Sequence, residues 1–578
     1  MVYDIVRDSQ AGFLVNYFSS GRLFPYDDQR SDYVVPERYL AKSASSSQST
    51  FPRTLSEAPT LVSSPTSPSS PGADNSTLVG EAGVCPALED KLGNDIEKQT
   101  PTVDSPAPVV EKYRWLVEFE ENDQDRPQNW SEGKKKFVGA LISILTFSVY
   151  IASAAYTPSI PGLMSDFGVS QTLATAGLTL FVFAYGIGPM ILAPAQELPS
   201  LGRNPVYMVT LALFIIFQVP PLFTDSIAVV LVFRFLAGFV GSPALATGGA
   251  SMSDVFAPHQ LAIAIGAWAI GAVSGPVFGP VAAGFAAQEM GWRWTFLIQL
   301  WIAGPAFIVL FFLLPETYEP TILLRRAQRL RKLTGNPLLR APCEVDDEQQ
   351  SLPAILWENV SRAFQISIDP AILVANTYIA YVYCVFYLWF EAFPIVFTEQ
   401  HHFNLGLSGL PFLGFIVSAA ITFTGYYFYN TIYMAKRSER DPNMPPEARL
   451  ELGLMVAPLA PISLFIFGWT AQAHTHWIGP IIGASLFLPP VYLAFQSCLM
   501  YISLSYPKYA ASLLAGNDLF RSTFASVFPL FGHRFFKTLG LGGGSSLLAG
   551  VMILMIPALW AIMHYGARLR ARSRFAQG

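Results

Sequence analysis

Residues 137–158 read FVGALISILTFSVYIASAAYTP, a run without one charged side chain. An α-helix rises 1.5 Å per residue, so about 20 apolar residues cross the ~30 Å hydrocarbon core of a bilayer. This run is long enough, and Lys134–Lys136 bound it on one side. Eleven further apolar runs follow, near 172–193, 205–223, 227–248, 261–286, 294–314, 369–397, 408–430, 450–471, 477–504, 509–531 and 545–567. Composition agrees: 52% of the chain is hydrophobic and 13% charged, where a soluble protein carries roughly 25% charged residues. The spacing predicts an all-α membrane protein with twelve spans.

The longest interior gap, 315–368, divides the spans into 137–314 and 369–567. Two six-helix bundles around a central cavity are the expected architecture. The gap contains LLRRAQRLRKLTGN, residues 323–336, readable as a surface helix, and an acidic run over Glu344–Glu348. Lys and Arg divide sharply between the loops, with about 20 on the side of the N-terminus and about 3 on the other. That bias predicts cytoplasmic termini, including a C-terminal tail over 568–578. The sequons at Asn75, Asn129 and Asn359 then lie inside, where they escape glycosylation.

Residues 1–130 are polar and read as a cytoplasmic tail. Met1–Tyr39 has no apolar core of a secretory signal. Ser43–Thr77 is dense in Ser, Thr and Pro and predicts disorder, either as an unstructured leader or as a phosphorylated regulatory tail. The four cysteines, Cys85, Cys343, Cys384 and Cys498, form no CxxC pair, so neither a disulfide framework nor a zinc site is expected. No P-loop is present, and no nucleophile–base or metal constellation suggests an enzyme. No cofactor or nucleic-acid partner is expected, and His401-His402 and His474-Thr475-His476 fall in outer loops.

Charges inside spans cost about 2.5–3.5 kcal/mol on insertion scales, so each needs a reason. Arg234 sits in LVFRFLAGFVGSP, residues 231–243. It should face the bundle interior with a carboxylate or carbonyl partner, for proton coupling or as a structural pair. Asp518 and Arg521 in GNDLFRS are three apart and can pair on one helix face. Either a self-satisfied pair or a working site follows, with Asn517 beside it as a cavity candidate. Glu391 in YLWFEAFP either titrates in a desolvated site or is solvated near the outer surface. Tyr383, Tyr387 and Phe390 follow i, i+4, i+7 and define a candidate cavity stripe for flat or cationic molecules.

The fifth run contains AIGAWAIGAVSGPVFGPVAAG, residues 264–284. Gly271, Gly275 and Gly279 form a bare stripe for close helix approach, and Pro276 and Pro280 are expected to kink it. After the second run, GPMILAPAQELPSLGRNPVY, residues 188–207, makes a Gly/Pro-punctuated turn bearing Glu197 and Arg203.

These motifs carry a resemblance. The chain resembles fungal multidrug exporters of the twelve-span drug:proton antiporter family of the major facilitator type, in the branch of benomyl, azole and caffeine resistance proteins. The match runs from Asn129 to about Phe575, and the leader IVRDSQAGFLVNYFSSGRLFPY is similar more weakly. The turn motif matches at Gly188, Pro189, Pro194, Glu197, Pro199, Gly202, Arg203, Asn204 and Pro205, with Gln196 where the family has Ser. RxxxG falls on Arg234 and Gly238, and the antiporter motif GxxxGPxxGP on Gly271, Gly275, Pro276, Gly279 and Pro280. GWRWTF, LPETY, FEAFPIVF and YPKYAASLLAGNDLFRS match as well. The resemblance implies a monomeric, alternating-access exporter of drugs or fungicides at the plasma membrane. Glu197 and Arg203, with Gly188 and Gly202, would form a conformational latch. Arg234, with a carboxylate (Glu391 or Asp518) and Arg521, would couple protons. A dedicated exporter of a fungal metabolite is the alternative.

Overall fold

The computed structural model describes residues 2–19, 22–30, 33–36, 39–40, 115–346, 357, 360–361, 364–365, 367–441, 444–505 and 510–571. The Ser43–Thr77 stretch, Asn75, Cys85, Asn359 and residues 347–348, 506–509 and 572–578 lie outside them. Among the described residues no β-strand forms, only two isolated bridges, Ser9 with Pro315 and Leu116 with Arg340.

Among the described residues, ten helices are long and apolar enough to cross a membrane, from Glu132–Phe167 to Leu513–Arg570. Gln171–Ile187 and Pro189–Gln196 join at a 41° bend to make another span. The last helix is two, because Gly540 (φ +71°) breaks it. The described residues therefore hold twelve spans. Several outrun the apolar segments: the first span reaches Phe167, where left-handed Gly168 (φ +61°) caps it. The helical hydrogen-bond ladder does not stop where hydrocarbon does.

The exteriors of these spans are apolar: Ile216, Trp301, Ile308, Val417, Ile421 and Leu554 are all more than half exposed. Such a belt suits lipid and not water. Inside, one continuous apolar core runs through both sets of six spans. The Gly stripe of the fifth span packs on the first. A Cβ at Gly275 would stand 2.9 Å from the Ile151 amide nitrogen, and one at Gly279 would stand 2.7 Å from that of Ala155. The expected kink does not interrupt this span, since Pro258–Met290 is one continuous helix through Pro276 and Pro280. Packing on both sides holds the backbone helical where the prolines remove donors.

Gly279→Val should therefore abolish folding and delivery, because backbone cannot give way as a side chain does. Gly304→Ala, with nothing within 4 Å, should leave both unchanged. Size-exclusion profiles of the fluorescently tagged variants check this.

The leader is not a bare polar tail. Val2–Asp8 and Gln10–Ser19 are helices. They lie against the bundle together with Glu319–Thr334, the helix formed by most of the basic stretch of the central gap. Asp28 receives Arg329 (2.8 Å), Asp8 receives Lys134 (3.5 Å), and Arg326 pairs with Asp123. A small second core of Tyr39, Val117, Ala327, Leu330, Leu339 and Ala341 lies in this cap. The reading of residues 1–130 as a polar cytoplasmic tail, with disorder expected around 43–77, did not anticipate this core, because its apolar residues are scattered and find partners only across the chain.

Candidate functional site

We call the side bearing the cap the basic face. Near it, the turn between the second and third spans is fixed by acids from two other elements. Arg203 donates from Nε to Asp254 (2.5 Å) at the end of the fourth span, and its guanidinium lies 5.2 Å from the Tyr318 ring. Glu316, just past the sixth span, accepts the amides of Arg203 (3.1 Å) and Asn204 (3.2 Å). Those amides open the third span, where a helix leaves its donors unpaired. The Glu316 side chain also accepts the amides of Thr317 and Tyr318, both at 3.0 Å, yet burial still raises its pKa above the ordinary carboxylate range. Gly202 must be glycine: its φ is +80°, and a Cβ would meet Glu316 Oε2 at 2.5 Å.

Arg203 is salt-bridged to Asp254, while Glu197 lies near it and makes no salt bridge among the described residues, its pKa raised by burial. Gly188 sits at the bend of the second span, where a Cβ would collide with Ser242 Oγ. Asp254→Asn would leave the buried Arg203 charge without its salt-bridge partner. Breaking a buried pair costs about 3–5 kcal/mol, and Asp254, 16% exposed, belongs at the lower end. We expect lowered thermal stability of the purified protein and export reduced about tenfold, read by a thermal-shift assay and by transport.

Arg234 is 1% exposed in the fourth span. Its Nε donates to the Gly177 carbonyl (3.1 Å) and its Nη1 to the Ala152 carbonyl (2.9 Å). Phe181 and Tyr156 rings cover the guanidinium at 4.2 and 4.7 Å. Of the two expected kinds of partner, carboxylate or carbonyl, it is carbonyls that hold the cation, together with two ring faces, joining spans one, two and four; no carboxylate pairs with it among the described residues. Gly238, one turn on, allows the approach, since a Cβ would stand 2.4 Å from the Phe181 carbonyl oxygen.

At the junction of the two bundles, tyrosine hydroxyls meet. Tyr185 hydrogen-bonds Tyr383 (2.6 Å) and Tyr387 (3.2 Å), and Tyr150 hydrogen-bonds Tyr383. Tyr150 and Tyr185 belong to the first two spans, and Tyr383 and Tyr387 to the seventh. Arg521 lies 5.0 Å from the Tyr383 ring and donates to Asp518 (2.9 Å). The other Asp518 oxygen, Oδ2, has no partner among the described residues. Beside it, Gly186 faces Ser522, where a Cβ would stand 2.6 Å from that of Ser522, so spans two and eleven touch.

Toward the opposite face a cavity of about 250 Å³ opens, lined by Phe390, Glu391, Phe412, Gln171, Met164 and His533 among others. Glu391 is 4% exposed, and its Oε1 has no partner among the described residues. Phe390 stacks on Phe412 at 5.3 Å. The stripe of Tyr383, Tyr387 and Phe390 is thus divided: only Phe390 lines this cavity. Seven residues of helix rise about 10 Å, enough to leave one level for another. Asn517 is also elsewhere, donating to Asn376 (2.7 Å) between spans seven and eleven.

Sequence reading missed Asp254, Glu316, Tyr150 and Tyr185. Glu316 lay in the noted LPETY motif, and Asp254 is an acid at a span end, but neither had a partner nearby in sequence. The tyrosines stood among many aromatics, with no local mark.

The Major Facilitator Superfamily model matches residues 142–529. The cycloheximide resistance protein of Candida maltosa is 35% identical, over 99% of both chains. Fluconazole resistance protein 1 of Saccharomyces cerevisiae is 36% identical, over 84% of this chain and 87% of its own. Among solved structures, the xylose transporter XylE from E. coli shares the fold, with a TM-score of 0.51 at 15% identity over 74% of this chain and 98% of that one. With twelve spans in place and relatives of this similarity, the chain belongs to the Major Facilitator Superfamily, in the branch that holds these fungal drug-resistance transporters.

Proposed function

We propose that this protein is a proton-driven exporter of amphipathic or cationic organic molecules, antifungal drugs among them. It works in the plasma membrane as a monomer with the basic face and both termini in the cytosol. The reading is carried by the cavity of about 250 Å³ that places a buried carboxylate, Glu391, beside the stacked rings of Phe390 and Phe412. Rings accept flat apolar bodies and cations, and a carboxylate takes either a cation or a proton. Substrate and proton then compete for Glu391, which is the simplest antiport coupling.

Between the cavity and the cytosol stand the tyrosine junction and the contact of spans two and eleven. The latch of Arg203, Asp254 and Glu316 braces the ends of spans three, four and six on that side. Such a state is open toward the exterior, where protons load and substrate leaves. The chain moves its substrate rather than transforming it. A pump-deleted yeast expressing the chain should survive a panel of antifungal compounds at higher doses than the empty host. A protonophore should erase the difference. Equal survival across the panel, with the protein at the cell surface, would reject drug export.

A further inference from the structure

The helix Gln10–Ser19 is inside out for a helix in water. Its protein-facing side holds the small Ala11 and Gly12 and the polar Asn16, which is 7% exposed and donates to Gln29 (3.4 Å). Its free side holds Leu14, Tyr17 and Phe18, at 36%, 72% and 81% exposed. Positions i, i+3 and i+4 share one face, so these three form one apolar stripe. Leu23, 65% exposed, extends it just past the helix end, beside exposed Arg22. An aqueous surface would penalise this arrangement by about 25 cal/mol for each Å² of apolar area. A hydrocarbon surface would favour it.

Its position fits that second medium. The Ser9–Pro315 bridge fixes its start at the end of the sixth span, and it packs against the sixth and third spans. Those spans carry exposed Ile308 and Phe312, and Val209 and Ile216, respectively. The stripe therefore continues the lipid-facing belt at its rim on the basic face. The cap that presents it is fastened by Asp28–Arg329 and Asp8–Lys134, so the stripe's position is fixed.

We propose that Gln10–Ser19 is a membrane-interface helix whose Leu14, Tyr17 and Phe18 seat in the bilayer leaflet at the basic face. Aromatic rings with a flanking arginine are the composition such a layer selects. The seat is tied to the latch, because the Glu316 amide donates to the Asp8 carbonyl (3.1 Å) while the Glu316 carboxylate holds the start of span three.

The test uses the full chain in nanodiscs, with the four native cysteines replaced and Phe18→Cys carrying an environment-sensitive fluorophore. Asn122→Cys, on an exposed polar loop of the same cap, is the reference, and Tyr17→Cys is a second reporter. Nitroxide-labelled acyl chains should quench positions 17 and 18 about threefold more than position 122, and aqueous iodide should show the reverse order. Iodide quenching at 17 and 18 equal to that at 122, without lipid quenching, would overturn the proposal. So would crosslinking between copies at position 18, which would mean that a second chain covers the stripe.

Discussion

Glu391→Gln will reduce proton-driven export to the background of the empty host while leaving the binding of neutral substrates in place. The replacement keeps size and one acceptor but cannot gain or lose a proton. The native side chain is 4% exposed in the seventh span, and Oε1 has no hydrogen-bond partner among the described residues. A buried carboxylate with an unmet oxygen is costly when charged and cheap when protonated. Its occupancy by a proton can therefore change with state. Two readouts separate coupling from general damage. Equilibrium binding of a fluorescent cationic substrate should lose its pH dependence, with affinity for a neutral substrate unchanged. Export driven by an imposed pH gradient in proteoliposomes should vanish. Retained gradient-driven export would move the coupling role to Asp518, whose Oδ2 also has no partner among the described residues.

Arg234→Ala is the second large effect, and the structure changes what it should look like. The arginine joins three spans through the Gly177 and Ala152 carbonyls and the Phe181 and Tyr156 rings. Charge-assisted hydrogen bonds are worth about 1.5–3 kcal/mol each, and the carbonyls left behind cannot reach water. Export should disappear, and stability of the purified protein should fall with it. Arg234→Lys restores the charge but not the planar fork or its ring stacking. It should regain surface expression and only a fraction of transport. Full transport by the lysine variant would mean that the charge alone matters. Normal transport by the alanine variant would remove Arg234 from the coupling machinery.

The fold was legible because a bilayer imposes length and polarity on each span. The run at 137–158 already carries both, and the other eleven repeat them. The Gly stripe was legible as a close-packing surface for a similar reason: bare glycines at every fourth position allow little else. The latch was half legible. Glu197, Gly202 and Arg203 stand out in sequence, but Asp254 and Glu316 reach the same spot from 51 and 113 residues away and could not be read from it. Local spacing carries no information about such returns. The Tyr383–Phe390 stripe failed for a geometric reason, because one helix face passes through more than one depth. The leader helix Gln10–Ser19 was not anticipated, because residues 1–130 were read by their overall polarity and not for periodicity within them.

The tyrosine junction has a further consequence. The seal between the two bundles there is made of neutral hydroxyls, Tyr150 and Tyr185 against Tyr383 and Tyr387. Each such bond contributes only about 0.5–1.5 kcal/mol net, and none requires a charge to be stripped of its partners when it opens. The Arg521–Asp518 pair lies within the eleventh span and can travel with it intact. A pump sealed this way spends little free energy on parting its own walls, and most of what the proton gradient supplies remains for moving cargo.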